Sequence, residues 1–570
     1  MWAKTGARFS TTLRLALMRL AAGTGRAQRM QEEATMKVSK RSVVVVVVVL
    51  AAALALLAVA SAQGAVSDRP ASSQRGWSAL DKVDVLTESF TKAGFNWKPG
   101  TVKYLDWVWE TCQENIFDTL ANNPWPTAYM SLIVPPPDGG AKGVLDWSWQ
   151  LGEDEAIVMV GQTPPAAAYF SYQSFLAFLP DNPDTPVDES RQRLGIAVGD
   201  TINIGTIRTI GPNRVNRPMV YIITGHRETE RRVRAAVRAA GYPDAIINVE
   251  TISPALGPLG VQGAWFFFAH RVAVPADKTA LQAYLQNPPY KVFRVTPKAP
   301  LQADPEPVPV LRVRGTGHTE MELYPSLQRL RNAILKEYEE QGYTETQRKE
   351  LDTKVWSLAT KLDGREMILE KPWVGLQRGI QVIGATRDTN YLATYPNFKL
   401  REDPNEFVII YGVNHQKTGK VTYSSFSIYA DKYRWFGLKN GTTFSPDFGD
   451  SAKQYLCPDE KDLPHCDLNW QYFYAWKVAR NCNGEDYCME AEVNEDPPEH
   501  PFVNIDGAPY RCDLDNPDTS QYDPTPFDLN TAEMFFLWRS YMEPATNVSP
   551  DDNELLYDRA IYYGPYFTEQ

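Results

Sequence analysis

The chain lacks the short motifs from which an activity is usually read. It has no G-x-S-x-G turn, no H-E-x-x-H pair, no Walker loop and no Rossmann glycine run. No hydrolase elbow, zincin site or nucleotide cradle can therefore be assigned from a motif. Histidine is scarce, with six in 570 residues, so few positions can offer an imidazole. His318-Thr319-Glu320-Met321-Glu322 lacks the second histidine of a metalloprotease helix. His226-x-Glu228 has no P-C-x-x-C partner to complete a deaminase site. At a helix start, Glu228 is explained by the macrodipole. No C-x-x-C pair is present for a zinc ribbon. Asp513, Asp515, Asn516 and Asp518 lack the glycine and terminal glutamate of a calcium loop. No metal or cofactor is assigned. No solenoid-length repeat is visible.

Basic residues are also short outside the N-terminus. Residues 1–62 hold nine Lys/Arg and two Asp/Glu, a balance of +7; the whole chain carries −11, so residues 63–570 stand at −18. Nucleic acid is excluded as a partner, because phosphate neutralisation needs clustered Lys/Arg.

A long apolar run is present. Seven valines from Val43 lead through Leu50 to Ala60-Ser61-Ala62, after Lys37, Lys40 and Arg41. A basic flank, an apolar core and a small-x-small exit make a secretory signal. About 18 apolar residues also stand at the lower limit for spanning a bilayer. The run Val43–Ala62 is thus either a cleaved signal or an anchor with residues 1–42 left in the cytoplasm. Both readings place the rest of the chain in the secretory pathway, outside the cell or at its surface. There Asn440-Gly-Thr442 is an N-glycosylation sequon.

Some 500 residues suit two or three domains. Five of the six cysteines lie within 56 residues. In an oxidising compartment they read as disulfides, with Cys457–Cys466 and Cys482–Cys488 as local clips and Cys112–Cys512 as the long closure; other pairings remain open. The aromatic content, with 15 Trp, 28 Tyr and 23 Phe, fits both β-rich cores and sugar platforms.

In chain order, residues 78–296 read as an α+β domain. Strand patterns at 218–224, 246–252, 264–274 and 291–295 alternate with helical stripes at 226–240 and 277–286, the β-α-β-β-α-β order of a ferredoxin-like unit with both helices on one face. Residues 195–204 read as a hairpin around Gly199-Asp200. A proline-rich linker covers 297–316. Residues 317–365 read as two helices, Ser326–Glu340 and Thr346–Leu362, around Gly342. Residues 366–570 form a β-rich, disulfide-containing domain. In it Phe407–Val413 and Val421–Tyr429 read as a hairpin whose tip carries Asn414 and His415.

Pro164-Pro165-x3-Tyr169-Phe170-Ser171, the Gly241-Tyr242-Pro243 stop, Asn287-Pro288-Pro289 before Val292-Phe293-Arg294-Val295-Thr296-Pro297, and Tyr411-Gly412-Val413-Asn414-His415 resemble an uncharacterised family of secreted or anchored proteins. The likeness spans most of 145–430 and part of the C-terminal region, and implies one inherited unit but no activity.

The chemistry-bearing candidates cluster around the expected tip. His415 is the catalytic candidate, with Asp388 or Tyr423 as its acid/base partner. Asn414, Arg387, Asn390 and Tyr391 are candidates for binding. The leading expectation is a non-catalytic secreted or membrane-anchored protein with a glycan, matrix or cell-surface partner. The alternative is an extracellular enzyme with an interdomain site around His415.

Overall fold

The computed structural model describes residues 78–105, 127–143, 146–179, 193–355, 386–430, 437–459, 461, 464, 466–491, 530 and 532–565. Val43–Ala62, Cys112 and Cys512 lie outside them. Among the described residues no helix is long and apolar enough to cross a membrane. The described residues fall within one compact unit, Trp77–Gln570, and that unit is mixed α+β, rich in sheet and poor in helix.

Eleven strands build a first sheet: β1 (Phe95–Leu105), β2 (Ala128–Ile133), β3 (Ser148–Trp149), β4 (Ala156–Gln162), β5 (Ala167–Phe178), β6 (Arg193–Ala197), β7 (Ile202–Asn203), β8 (Pro218–Thr224), β9 (Ile247–Thr251), β10 (Trp265–Pro275) and β11 (Tyr290–Pro297). Their order is β6-β5-β10-β2-β1-β11-β4-β8-β9, with β3 on β10 and β7 on β5. The sheet curls until β9 reaches β5. Ser174 of β5 donates from its backbone N (2.6 Å) and Oγ (2.6 Å) to the Glu250 carboxylate of β9. The enclosed face holds Phe170, Tyr172, Tyr221, Phe266, Phe268 and Val292.

The ferredoxin-like unit does not form. Its four strands share the sheet, but β2, β1 and β4 stand between β10, β11 and β8. Side-chain alternation sets a strand's two faces and leaves its neighbours open. Helix α1 (Val83–Lys92) precedes β1, and the two expected helices separate. In α2 (Arg227–Ala239), Val233, Ala236 and Val237 pack with Val220 and Ile222 of β8, whereas in α3 (Lys278–Gln286), Leu281, Tyr284 and Leu285 pack with Tyr221 and Ile223. Alternate residues of one strand point to opposite faces, so α2 and α3 cover opposite sides. Both helices begin where the sequence places them. His226 Nδ1 accepts from Thr229 N at 3.1 Å, and Asp277 accepts from Thr279 N and Ala280 N. Glu228 is half-buried and paired with Arg231. Gly241 follows α2 at φ +86°, a backbone conformation that suits glycine.

The 195–204 hairpin is likewise replaced: β6 and β7 each pair with β5 and not with each other. The chain at Glu306 then runs along the first sheet, Glu306 N bonding Gly225 O at 2.8 Å.

The second sheet has nine strands: β12 (Arg348–Val355), β13 (Thr389–Tyr395), β14 (Phe407–Val413), β15 (Tyr423–Ala430), β16 (Gly437–Phe444), β17 (Phe473–Ala479), β18 (Cys488–Glu490), β19 (Met534–Tyr541) and β20 (Arg559–Tyr563). Their order is β16-β15-β19-β13-β12-β20-β14-β17-β18. It curls too, and Phe426 of β15 stacks on Tyr474 of β17 across the interior at 5.9 Å. Helix α4 (Tyr324–Glu340) lays Leu327, Leu330, Ile334 and Tyr338 on the outer side chains of β14 and β20.

Two expectations change here. Residues 348–355 form a strand instead of the start of a second helix, pairing with β20 and β13. A ladder on both sides outweighs the helix propensity of a Lys/Glu-rich stretch. The β14–β15 hairpin is absent as well, because β14 pairs with β17 and β20 while β15 pairs with β16 and β19. Residues 414–422 are a crossover between strands far apart in the sheet order.

Two disulfides clip loops of this half, Cys457–Cys466 and Cys482–Cys488. They are compatible with an oxidising, secretory compartment.

Candidate functional site

Being a crossover, the Asn414-His415 segment is buried. Asn414 bonds Tyr472 O through its backbone N (2.8 Å) and Ser445 O through Nδ2 (3.2 Å). His415 Nδ1 lies 3.0 and 2.9 Å from the two Glu320 oxygens, and its Nε2 lies 3.6 Å from Asp558 Oδ2, an ion-pair distance too long for a hydrogen bond. Glu320 also accepts from Thr418 Oγ1 (2.6 Å) and Leu556 N (3.0 Å). Burial opposes the imidazolium, but Glu320 and Asp558 outweigh it and push His415 up to about 10. Burial works against the Glu320 carboxylate in turn, yet His415 and the hydrogen bonds leave it below its ordinary value. Such a histidine is charged and held in place at neutral pH. It ties three distant segments together and has no exposed face for a substrate. Gly412 belongs to the same device, since a Cβ there would collide with Asp558.

The carboxylates facing His415 are therefore Glu320 and Asp558. The partners proposed from the sequence, Asp388 and Tyr423, make their contacts elsewhere, on a seam between the two sheets. Tyr169 of β5 and Ala273 of β10 meet Tyr423, Phe444, Tyr541 and Met542 of the second sheet in one buried cluster. Tyr423 stacks on Tyr541 at 4.6 Å and 7°, and Tyr169 lies 5.4 Å from Tyr541.

At the centre is Arg271. It projects from β10 beside Tyr129 of β2 and Ser171 of β5. Its Nε donates to Tyr129 Oη at 3.2 Å, and its guanidinium carbon lies 5.0 Å from the Tyr541 ring centre. Nη1 comes no closer than 4.0 Å to Asp388 Oδ1, and neither terminal nitrogen reaches a hydrogen-bond partner among the described residues. Burial disfavours the cation, but the phenols of Tyr129, Tyr541, Tyr423 and Tyr391 more than compensate and hold it protonated. Asp388, fully buried, accepts from Thr386 Oγ1 at 2.7 Å through Oδ1. Burial pushes its carboxyl up to about 7; at 4.0 Å the arginine does not reverse that.

Among the described residues, buried polar atoms without a partner include Asp388 Oδ2, Tyr423 Oη and Tyr169 Oη on this seam, with Ser425 Oγ two positions from Tyr423 along β15 and Ser131 Oγ two positions from Tyr129 along β2. Unmatched buried groups carry a desolvation cost of about 1–3 kcal/mol each, so several in one place mark a site suited to a polar guest. A second arginine, Arg539 of β19, is bound to Ser427 Oγ (3.2 Å) and Tyr429 Oη (2.8 Å), with Tyr391 5.9 Å from it.

The remaining binding candidates brace the seam. Arg387 Nε pairs with Asp200 at 3.1 Å and its Nη2 donates to Arg312 O at 2.7 Å; Asn390 Nδ2 donates to Pro550 O at 2.9 Å. Asn440 lies on edge strand β16, and the hydroxyl of Thr442 meets Ser427 Oγ at 2.7 Å. Among the described residues no group of His, Cys, Asp and Glu could hold a metal ion.

The sequence pattern did not single out Arg271, Arg539 or Tyr129, and it named Tyr169 only within a family motif. A signal was present: Trp265-Phe-Phe-Phe-Ala-His-Arg271 and Met534-Phe-Phe-Leu-Trp-Arg539 each carry one arginine inside an otherwise apolar strand. A buried charge in such a strand asks for an explanation.

No family model and no curated protein match the chain. Among solved structures, the VPA0106 protein from Vibrio parahaemolyticus aligns at 9% identity and TM-score 0.32, over 86% of this chain and 99% of its own. An uncharacterized protein from Burkholderia cenocepacia aligns at 9% identity and TM-score 0.32, over 88% and 92%.

Proposed function

We propose that this chain is a non-catalytic ligand-binding protein, secreted or membrane-anchored and facing the lumen or the cell exterior, whose binding element is the seam around Arg271. The observation that carries the reading is a guanidinium with two uncommitted terminal nitrogens, facing a buried carboxyl at 4.0 Å within a ring of phenols. Convergent polar groups in an otherwise apolar setting are the ordinary composition of a small-molecule site. A glycan remains the favoured class of partner, met within the seam and not on a surface stripe: among the described residues, Trp97 and Tyr324 are the exposed aromatics. Delivery through the secretory pathway rests on the 43–62 run, with the two loop disulfides and the Asn440 sequon as supporting features.

The test compares the full chain with Arg271→Gln in a thermal-shift panel of neutral and acidic saccharides. Stabilisation by at least one compound, lost in the variant, is expected. A panel that never separates the two proteins defeats the reading.

The enzyme reading has one observation in its favour, the Asp388 carboxyl poised near neutrality beside Tyr423. It centres on Asp388 and not on His415, and it predicts slow turnover of whatever compound binds.

A further inference from the structure

We infer that the seam takes a hydroxylated carboxylate of the sugar-acid class, its carboxylate on Arg271 and its hydroxyls on the tyrosine and serine hydroxyls around it; this rests on the seam being a ligand site.

The charge balance points to a monoanion. Arg271 is one cation whose terminal nitrogens have no acceptor within hydrogen-bond distance among the described residues. A planar carboxylate meets a guanidinium through two parallel bonds. Arg539 is committed to Ser427 and Tyr429, and no helix N-terminus among the described elements contributes a residue to the seam. A phosphate dianion would therefore bring more charge than one arginine and neutral phenols balance.

The hydroxyls point to the rest of the ligand. Tyr169, Tyr423, Ser425 and Ser131 bring four buried hydroxyls with no protein partner. A hydroxyl both donates and accepts, and so can match another hydroxyl in either sense. The large face of Tyr423 is occupied by Tyr541, which leaves the oxygen-bearing edge of Tyr423 to meet the guest. An aromatic acid would leave those oxygens unmatched; a polyhydroxylated acid would satisfy them.

Asp388 sets the pH dependence. The charged and titratable groups facing it are Arg271 from β10, Tyr423 from β15 and Tyr391 from β13, with the Thr386 hydroxyl on its own segment. As the neutral acid it donates a hydrogen bond to a bound carboxylate. Ionised, it repels that carboxylate, so affinity falls as pH rises through the titration of Asp388.

The experiment is calorimetric titration of the full chain with D-glucuronate, D-glucose, benzoate and inorganic phosphate at pH 6 and 8. Glucuronate should bind at least about tenfold tighter than the other three, since a charged and a hydroxyl contact are each lost in turn. Arg271→Gln should abolish that binding, Tyr423→Phe should weaken it about threefold to tenfold, and Asp388→Asn should flatten the pH dependence. If Arg271→Gln does not fold, Tyr423→Phe and Ser425→Ala, each removing one hydroxyl, decide the matter. Glucose, benzoate or phosphate binding as tightly as glucuronate overturns this inference and leaves the seam standing as a ligand site. Binding of none of the four, or binding indifferent to the folded variants, overturns both.

Discussion

His415 and Asp388 were paired in the sequence reading, and their environments separate them. His415 sits between Glu320 and Asp558, which raise it to about 10 against the cost of burial. Stability from a group raised above its unfolded value is fully present below the unfolded value, near 6.5, and is lost as pH climbs through the folded one. His415→Gln should therefore destabilise the fold by about 3 kcal/mol at pH 6, the usual cost of leaving a buried charge uncompensated, and by much less at pH 10. Urea unfolding at the two pH values measures this, and equal losses at both would exclude the charged staple. Asp388 is also raised, to about 7, but by burial alone. Its contribution is fully present below its unfolded value, near 4, and disappears as pH rises through 7. Asp388→Asn, which stays uncharged, should gain stability relative to the parent between pH 4 and pH 8. Melting curves across that window read the difference, and a constant offset would show that Asp388 does not titrate there.

At the scale of elements, strands and helices follow local pattern while their partners do not. The α2 stripe and its His226 and Gly241 boundaries, α3 behind Asp277, and the long β10 strand all lie within a residue or two of where periodicity places them. Residues 348–355 went the other way because a β ladder was available on both edges. The 457–466 loop illustrates a covalent constraint doing what apolar burial does elsewhere. Its flanking helical turn Lys453–Leu456 buries Leu456 alone, so the clip restrains a segment with little core of its own. Closing nine residues of sequence separation restricts the unfolded chain by about 2–3 kcal/mol in the chain-entropy picture. Replacing Cys457 and Cys466 by Ser together should lower stability by that amount and leave ligand binding at Arg271 unchanged. Denaturant titration with a binding assay checks both halves of the statement.

Over the whole molecule, the seam is held by contacts between segments more than seventy residues apart. Arg387 meets Asp200 and Arg312, and Asn203 Nδ2 meets Asn547 O at 2.9 Å. The Arg387–Asp200 pair is nearly fully buried, so removing one partner costs more than a surface ion pair would. Arg387→Ala should destabilise by about 3 kcal/mol and weaken any ligand bound at Arg271, because the two sheets would no longer be braced. Unfolding and titration of the same variant test it; intact affinity in a destabilised protein would show that the clasp is structural only.

Local pattern in the chain was enough for the faces of strands, the ends of helices and the mixed, sheet-rich class, because each depends on residues within a few positions of one another; the two short disulfide clips were one pairing among several until the fold brought those cysteines together. It singled out Asp388, Tyr391 and Tyr423 as chemically interesting without showing what they face. Only the tertiary structure decided the strand orders, the burial of His415 against Glu320 and the meeting of Arg271 with Asp388. Those depend on which strands become neighbours, and period-two alternation carries no information about a neighbour's identity. Arg271 and Asp388 stand 117 positions apart in the chain; they meet because each curled sheet turns one polar-studded face toward the other.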